Sequence, residues 1–234
     1  MRMSTSIAPV SPLPEKRLEP RQRWMSFAEF VVGASIVILH NVYHRVPNEV
    51  PILFVLGWIS IRLRDGGWKA VGLAKPNSWW KTMLWGVVVG VLVIVAGQLA
   101  TMWGEKVWHT AAKGSTVLEN TKATWQTTLA NLGLVWTFAA FGEEMGYRGY
   151  LLTRAADLGN RSQAAYVVAL LASSVLFGYG HYYKGPPGIL QSTVSGLILG
   201  GAYLLSRRNL WIPILAHGCA DTIVILAFFF GWAD

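Results

Sequence analysis

Residues 125–148, WQTTLANLGLVWTFAAFGEEMGYR, decide how the chain is to be read. The run opens apolar and closes on Glu143, Glu144 and Arg148, so a segment of membrane-spanning length, about 20 residues, carries ionisable groups near its end. Working outward, the stretch Trp125–Tyr147 is one of seven apolar runs. The others are Phe27–Val42, Val50–Ile61, Met83–Trp103, Ser162–Gly180, Gly188–Ser206 and Leu210–Phe230. The last five have spanning length. Phe27–Val42 is somewhat short, and Val50–Ile61 is short enough for a re-entrant or tilted piece. The fold expected is an all-α, polytopic helical membrane bundle with about seven transmembrane helices, six to eight in range.

Composition points the same way. Hydrophobic residues are 53% of the 234, charged residues 14%, and the mean hydropathy is +0.39. A soluble domain holds about 25% charged residues. One cysteine, Cys219, cannot form an internal disulfide, so a disulfide scaffold is excluded, as are a disordered chain and a coiled coil. The net charge of +8 would suit nucleic acid only if it formed a stripe on one face. Instead the basic residues lie between the apolar runs, so the charge reads as topology and no nucleic-acid partner is expected.

With the N-terminus inside and seven crossings, 15 of the 20 Lys and Arg residues fall on the inner side. The chain is therefore expected to be integral to a membrane and multi-pass, with a cytoplasmic N-terminus, in the plasma or inner membrane if prokaryotic. Residues 1–25, rich in Pro and basic residues and without apolar periodicity, read as a flexible tail rather than a signal peptide. Residues 26–234 read as one domain, with a motif-bearing core at about 125–231. Three Gly-xxx-Gly spacings, Gly86/Gly90, Gly142/Gly146 and Gly196/Gly200, read first as close helix packing and second as a dimer face. The oligomeric state does not follow.

Ionisable residues within spans are costly and mark function by default. They gather in three places. Glu144 and Arg148 are i,i+4 neighbours that can pair, leaving Glu143 directed elsewhere, a carboxylate available as a proton acceptor. Phe177 and His181 share one helix face, as do His217 and Asp221. Each group alone has a structural reading: a solvated helix end, an interfacial histidine, a helix-stapling polar pair. His40, His44 and His109 read as interfacial, and Asn41, His44, Arg45, Asn48 and Glu49 as a polar connector. Trp79, Trp80, Trp85, Trp103, Trp108, Trp125 and Trp211 suit interfacial belts.

Together, Glu143-Glu144-xxx-Arg148, Phe177-xxx-His181 and His217-xxx-Asp221 resemble the three motifs of the CAAX prenyl protease and bacteriocin-processing family, also called Abi. This family is known for glutamate-dependent intramembrane endopeptidases, and the resemblance covers roughly Gly142 to Thr222. It implies that Glu143 is the general base activating a water, with His181 assisting, and that Glu144 and Arg148 form a supporting pair. His217 and Asp221 would stabilise the tetrahedral oxygen. Many members have Asn where this chain has Asp221; an ionised Asp only accepts hydrogen bonds, so here it would orient His217 as the donor. The substrate implied is a peptide or protein with a membrane-associated or lipidated segment.

No cofactor is expected. Zinc is the competing mechanism, with Glu143, His181 and His217 as its ligands, although no His-Glu-xx-His is present and Arg148 would repel a cation. A metalloendopeptidase-like hydrolase and a metal-free one thus stay side by side. Two other readings use the same residues: a non-proteolytic immunity or scaffold protein, and a small proton-coupled transporter. The transporter needs a through-going polar path, for which the apolar helices of the first half offer only Glu29 and Gln98. One geometric demand follows from straight spans, which put Glu143 toward the inner side of the membrane and His181 toward the outer side. Either the Glu143 helix runs on past Arg148 toward Arg154, or the His181 helix is broken or steeply tilted.

Overall fold

A computed structural model describes residues 17–114 and 124–232. Residues 1–16 of the expected tail lie outside the described residues. The rest of that tail is not as expected: helix α1 begins at Pro20 and runs Pro20–Asn41. Proline at the first turn has no N–H to leave unpaired, and Glu19 and Gln22 close a capping box around it. The apolar run that looked short is thereby extended to 22 residues, enough to span.

Every apolar stretch is helical, and the described residues contain no strand. Helix α2 is Glu49–Asp65, opened by Asn48 and closed by Gly66 in the left-handed conformation (φ 80°). A 3₁₀ turn, Trp68–Val71, leads to the 30-residue α3, Trp79–Trp108. Helix α4, Trp125–Leu134, passes into π-helical winding over Val135–Glu143 and Met145–Leu151, then into α5, Leu152–Asp157. Helix α6 is Gln163–Tyr179, a 3₁₀ turn spans Tyr182–Lys184, α7 is Gly185–Leu205 and α8 is Trp211–Phe229. The fold is an all-helical membrane bundle.

Four helices among the described residues are long and apolar enough to cross a membrane: Pro20–Asn41, Trp79–Trp108, Tyr182–Leu205 and Trp211–Phe229. Two of the five runs of expected spanning length are not single long α-helices. The α6 helix is apolar but has only 17 residues, and the Trp125–Tyr147 run is wound in several styles rather than as one α-helix.

Packing is inverted relative to a soluble protein. Helix α3 buries Gly86, Val89, Gly90, Val93 and Gly97, and exposes Trp85, Val88, Val91, Leu92, Val95 and Leu99. Lipid is as apolar as leucine, so the small residues mark the protein-facing side. All three glycine pairs serve internal packing. A methyl at Gly86 would lie 2.7 Å from Leu215 Cβ, one at Gly90 2.8 Å from the Ala216 carbonyl, and one at Gly196 3.1 Å from Ser174. Gly142 and Gly146 likewise seat Val50 and Leu53 of α2.

At the end of the bundle holding the α2 and α5 C-termini, charged side chains form a buried knot. Arg154, fully buried, donates to Asp65 (2.7 Å), Asp157 (2.8 Å) and the Ser60 hydroxyl (2.9 Å), and lies 3.0 Å from Glu29. Arg161 donates to Asp157 (2.6 Å) and Asp65 (2.7 Å). Arg64 pairs with Glu29 at 2.7 Å, Ser26 donates to Asp157 at 2.7 Å, and Ser60 also donates to Glu29. Arg154 and Arg161, counted from sequence among the inner-side basic residues, are interior ties joining α1, α2 and α5. The knot also takes up Glu29, while Gln98 is exposed on α3, so the polar path a transporter would need is not built from them.

Candidate active site

The geometric demand is met by continuity. Leu134, Glu144 and Leu151 all keep right-handed helical dihedrals, so one unbroken rod carries the chain past Arg148 and Arg154 to Asp157. Glu143 therefore sits mid-rod rather than at a helix end. Helix α6 stops at Tyr179, leaving His181 in the turn beyond it. The π winding, frequent at functional sites, covers the whole Glu143–Arg148 motif except Glu144 itself.

Each key side chain has a glycine beside it, and each glycine admits another element. A methyl at Gly142 would meet Val50 at 2.7 Å, one at Gly180 would meet the Tyr147 hydroxyl at 2.7 Å, and one at Gly218 would meet the Trp136 ring at 2.6 Å. Trp136 then donates its indole N–H to Thr222 at 3.1 Å, tying α8 to the π-helical segment. In this way Glu143, His181 and His217, from three parts of the chain, are drawn to one region.

Phe177 stands at its centre. The Tyr147 ring meets it edge-on at 5.0 Å, the His181 ring lies 4.9 Å away and the His217 ring 6.1 Å away. The Arg148 guanidinium sits 4.4 Å from the Phe177 centroid, a buried cation–π contact. Arg148 Nη1 donates to Glu144 Oε1 at 2.8 Å, which is the pair expected from the i,i+4 spacing. The same Oε1 lies 2.9 Å from His217 Nδ1, which donates to it. The second edge of His217, Nε2, is 3.5 Å from Asp221 Oδ2, an ion-pair contact rather than a hydrogen bond. The sequence-based expectation that Asp221 orients His217 is thus modified: Glu144 holds that ring more tightly. His181 donates from Nδ1 to the Phe177 carbonyl at 3.0 Å, because a carbonyl can only accept. In the neutral ring Nε2 is left with its lone pair.

Glu143 and Glu144 each bury an Oε2 without a hydrogen-bond partner, but Glu144 is held through Oε1 while no described side chain is hydrogen-bonded to Glu143. Glu143 interacts electrostatically with His217, Glu49, Asp221 and Glu144. Glu143, Asp221 and Glu49 also act together on Tyr183, and Glu143 and Asp221 on Lys184, so these groups share one space. Glu49, Tyr147, Tyr183 and Lys184 were missed from the sequence. Glu49 looked like part of a solvated connector, and its burial shows only once α2 is seated on Gly142. His40 was read as interfacial, yet it sits 3.4 Å from Glu49.

A zinc ion would need Glu143, His181 and His217 to converge. Among the described residues no three His, Cys, Asp or Glu side chains do so. A buried guanidinium, Arg148, also lies alongside. As placed, the described side chains do not form that ligand set.

The bundle and its buried cluster thus define a helical membrane protein with glutamate, histidine and arginine side chains gathered inside it. Residues 125–223 match the model of the Rce1-like family, described as type II CAAX prenyl endopeptidase Rce1-like. This is the family that the three motifs resemble, and at family level the match supports a CAAX-type intramembrane endopeptidase. No curated protein and no solved structure matches the chain.

Proposed function

We propose that the chain hydrolyses peptide bonds within the membrane through a water activated by Glu143, with no covalent intermediate and no metal. The observation that carries this reading is the contrast between adjacent carboxylates. Both carboxylates bury an unpartnered Oε2, but Glu144 is pinned through Oε1 by Arg148 and His217, while Glu143 is hydrogen-bonded to no described side chain. A buried unsatisfied carboxylate oxygen is expensive, and a place where water is to be bound and deprotonated accounts for it. His181, with Nδ1–H tied to the Phe177 carbonyl, offers Nε2 as a second acceptor for that water. His217, fixed through Nδ1 on Glu144, turns Nε2 toward Asp221; as an imidazolium, with both ring nitrogens protonated, it donates from Nε2 to the oxygen that becomes negative in the tetrahedral intermediate. When the intermediate collapses, Glu143 returns its proton to the leaving amine.

The substrate is a peptide or protein with a membrane-associated or lipidated segment, reached from the bilayer in which the chain sits with its N-terminus cytoplasmic. The reading is tested by incubating purified protein in detergent or vesicles with a library of lipidated and unlipidated peptides. Cleavage by wild type, abolished in Glu143→Ala and His181→Ala and retained after exhaustive chelation, is the expected result. Cleavage retained in Glu143→Ala overturns it.

A further inference from the structure

The first turn of α2 touches the backbone beneath both candidate catalytic groups, and nothing in the proposed chemistry yet uses it. Val50 fills the space above Gly142, the residue before Glu143. Glu49, only 6% exposed, reaches the other side: a methyl on Gly180, the residue before His181, would lie 3.7 Å from Glu49 Oε1 and 2.7 Å from the Tyr147 hydroxyl. The second oxygen of Glu49 is 3.4 Å from His40 Nε2. His40 is itself fixed, since its Nδ1 donates to the Val46 carbonyl at 3.0 Å in the loop between α1 and α2. Asn48 caps the helix by accepting from the Val50 N–H at 2.9 Å, which leaves the Glu49 side chain free to turn inward.

We infer that Glu49, held by His40, is a positioning residue of the hydrolytic site. Its carboxylate and the Tyr147 hydroxyl bracket Gly180 and so set the place of the His181 ring, while the neighbouring Val50 sets Gly142 beneath Glu143. The α1–α2 loop is then part of the machinery and not a passive connector. Glu49 also brings its charge into the space shared by Glu143, Asp221 and Tyr183. A carboxylate there orients without touching the scissile bond. This inference rests on the proposed hydrolysis for its kinetic consequence, but its geometric content is independent of it.

The test uses the full-length protein, labelled with ¹⁵N-histidine and purified in micelles, with the His181 ring signals assigned by their loss in His181→Ala. In Glu49→Gln and, separately, Tyr147→Phe, the His181 ring signals shift and broaden while those of His109 stay in place. With a cleavable peptide, Glu49→Gln lowers kcat by about tenfold or more with KM held within about twofold, and Glu49→Asp recovers part of the loss. A Glu49→Gln protein that unfolds leaves Tyr147→Phe to decide. Unmoved His181 signals overturn the proposal whether or not peptide is cleaved. Moved signals with an unchanged kcat also overturn it. Absence of cleavage by wild type defeats the proposed function, and the ring signals still decide the positioning claim.

Discussion

The bundle encloses two clusters of charge, and they are built on opposite principles. The knot of Glu29, Arg64, Asp65, Arg154, Asp157 and Arg161 gives each guanidinium a carboxylate partner, and among the described residues none of its buried side-chain atoms is left without a partner. The cluster around Phe177 leaves an oxygen of Glu143 and one of Glu144 buried and unpaired. Each set has fully buried members, Arg154 and Asp157 in one and Glu144 in the other, yet only the knot has its hydrogen-bonding capacity filled. A saturated cluster holds helices together. An unsaturated one, kept in place by the Glu144–Arg148 ion pair, has capacity left for a substrate or a water.

This contrast can be broken most directly by exchanging the expected consequences of mutation. Glu143→Gln should lower kcat by about 10²–10⁴-fold and leave the melting temperature of the detergent-solubilised protein essentially unchanged. Arg154→Met should do the reverse, because it takes one guanidinium partner from each of Asp65, Asp157 and Glu29. Thermal or denaturant unfolding should then show a loss of about 3–5 kcal/mol. If Glu143→Gln destabilised the fold as much as Arg154→Met, the division between the two clusters would not hold.

The division also runs within the Glu143–Glu144 pair. Glu144→Gln removes the charge that Arg148 and His217 both lean on, so it should reduce folded yield and melting temperature far more than Glu143→Gln does. Equal losses would argue against separate roles. A smaller effect is expected from Gly218→Ala, whose methyl would press on the Trp136 ring. It should lower kcat by roughly tenfold through displacement of His217, and Trp136→Leu in the same protein should recover part of the loss.

Much of this was legible in the sequence, and the reasons for what was not are physical. The Glu144–Arg148 pair follows from i,i+4 spacing, and π winding does not undo it. Glycine spacing announced close packing because only glycine admits a neighbour at that distance. The winding itself was invisible, since Val135–Leu151 has no residue type that separates π from α. Glu29, Asp65, Arg154, Asp157 and Arg161 are spread over 133 positions, so no local pattern could show that they meet. Glu49 and His40 were hidden for the same reason: their burial is made by α2 sitting on Gly142, a tertiary event.

The smallest expected effect concerns pH and the knot. Asp65 closes α2, outside the four spanning helices. Burial pushes its carboxyl up, but Arg161 and Arg154 outweigh this and hold it at about 2. A depressed folded-state value means that the knot's contribution is complete above the ordinary carboxylate range near 4 and is lost as pH falls from there toward 2. The melting temperature should be flat between pH 7 and 5 and drop below 4, with a shallower drop in Asp65→Asn.

The central claim is that the unpaired carboxylate of Glu143, and not a metal, activates water in this bundle. It is tested most directly by following hydrolysis of one cleavable peptide in H₂¹⁸O by wild type and Glu143→Gln, each before and after exhaustive chelation. The account predicts one ¹⁸O in the new carboxyl terminus, an undiminished wild-type rate after chelation, and a loss of at least about 10²-fold in Glu143→Gln. A wild-type rate abolished by chelation and restored by zinc, or an undiminished rate in Glu143→Gln, would contradict it.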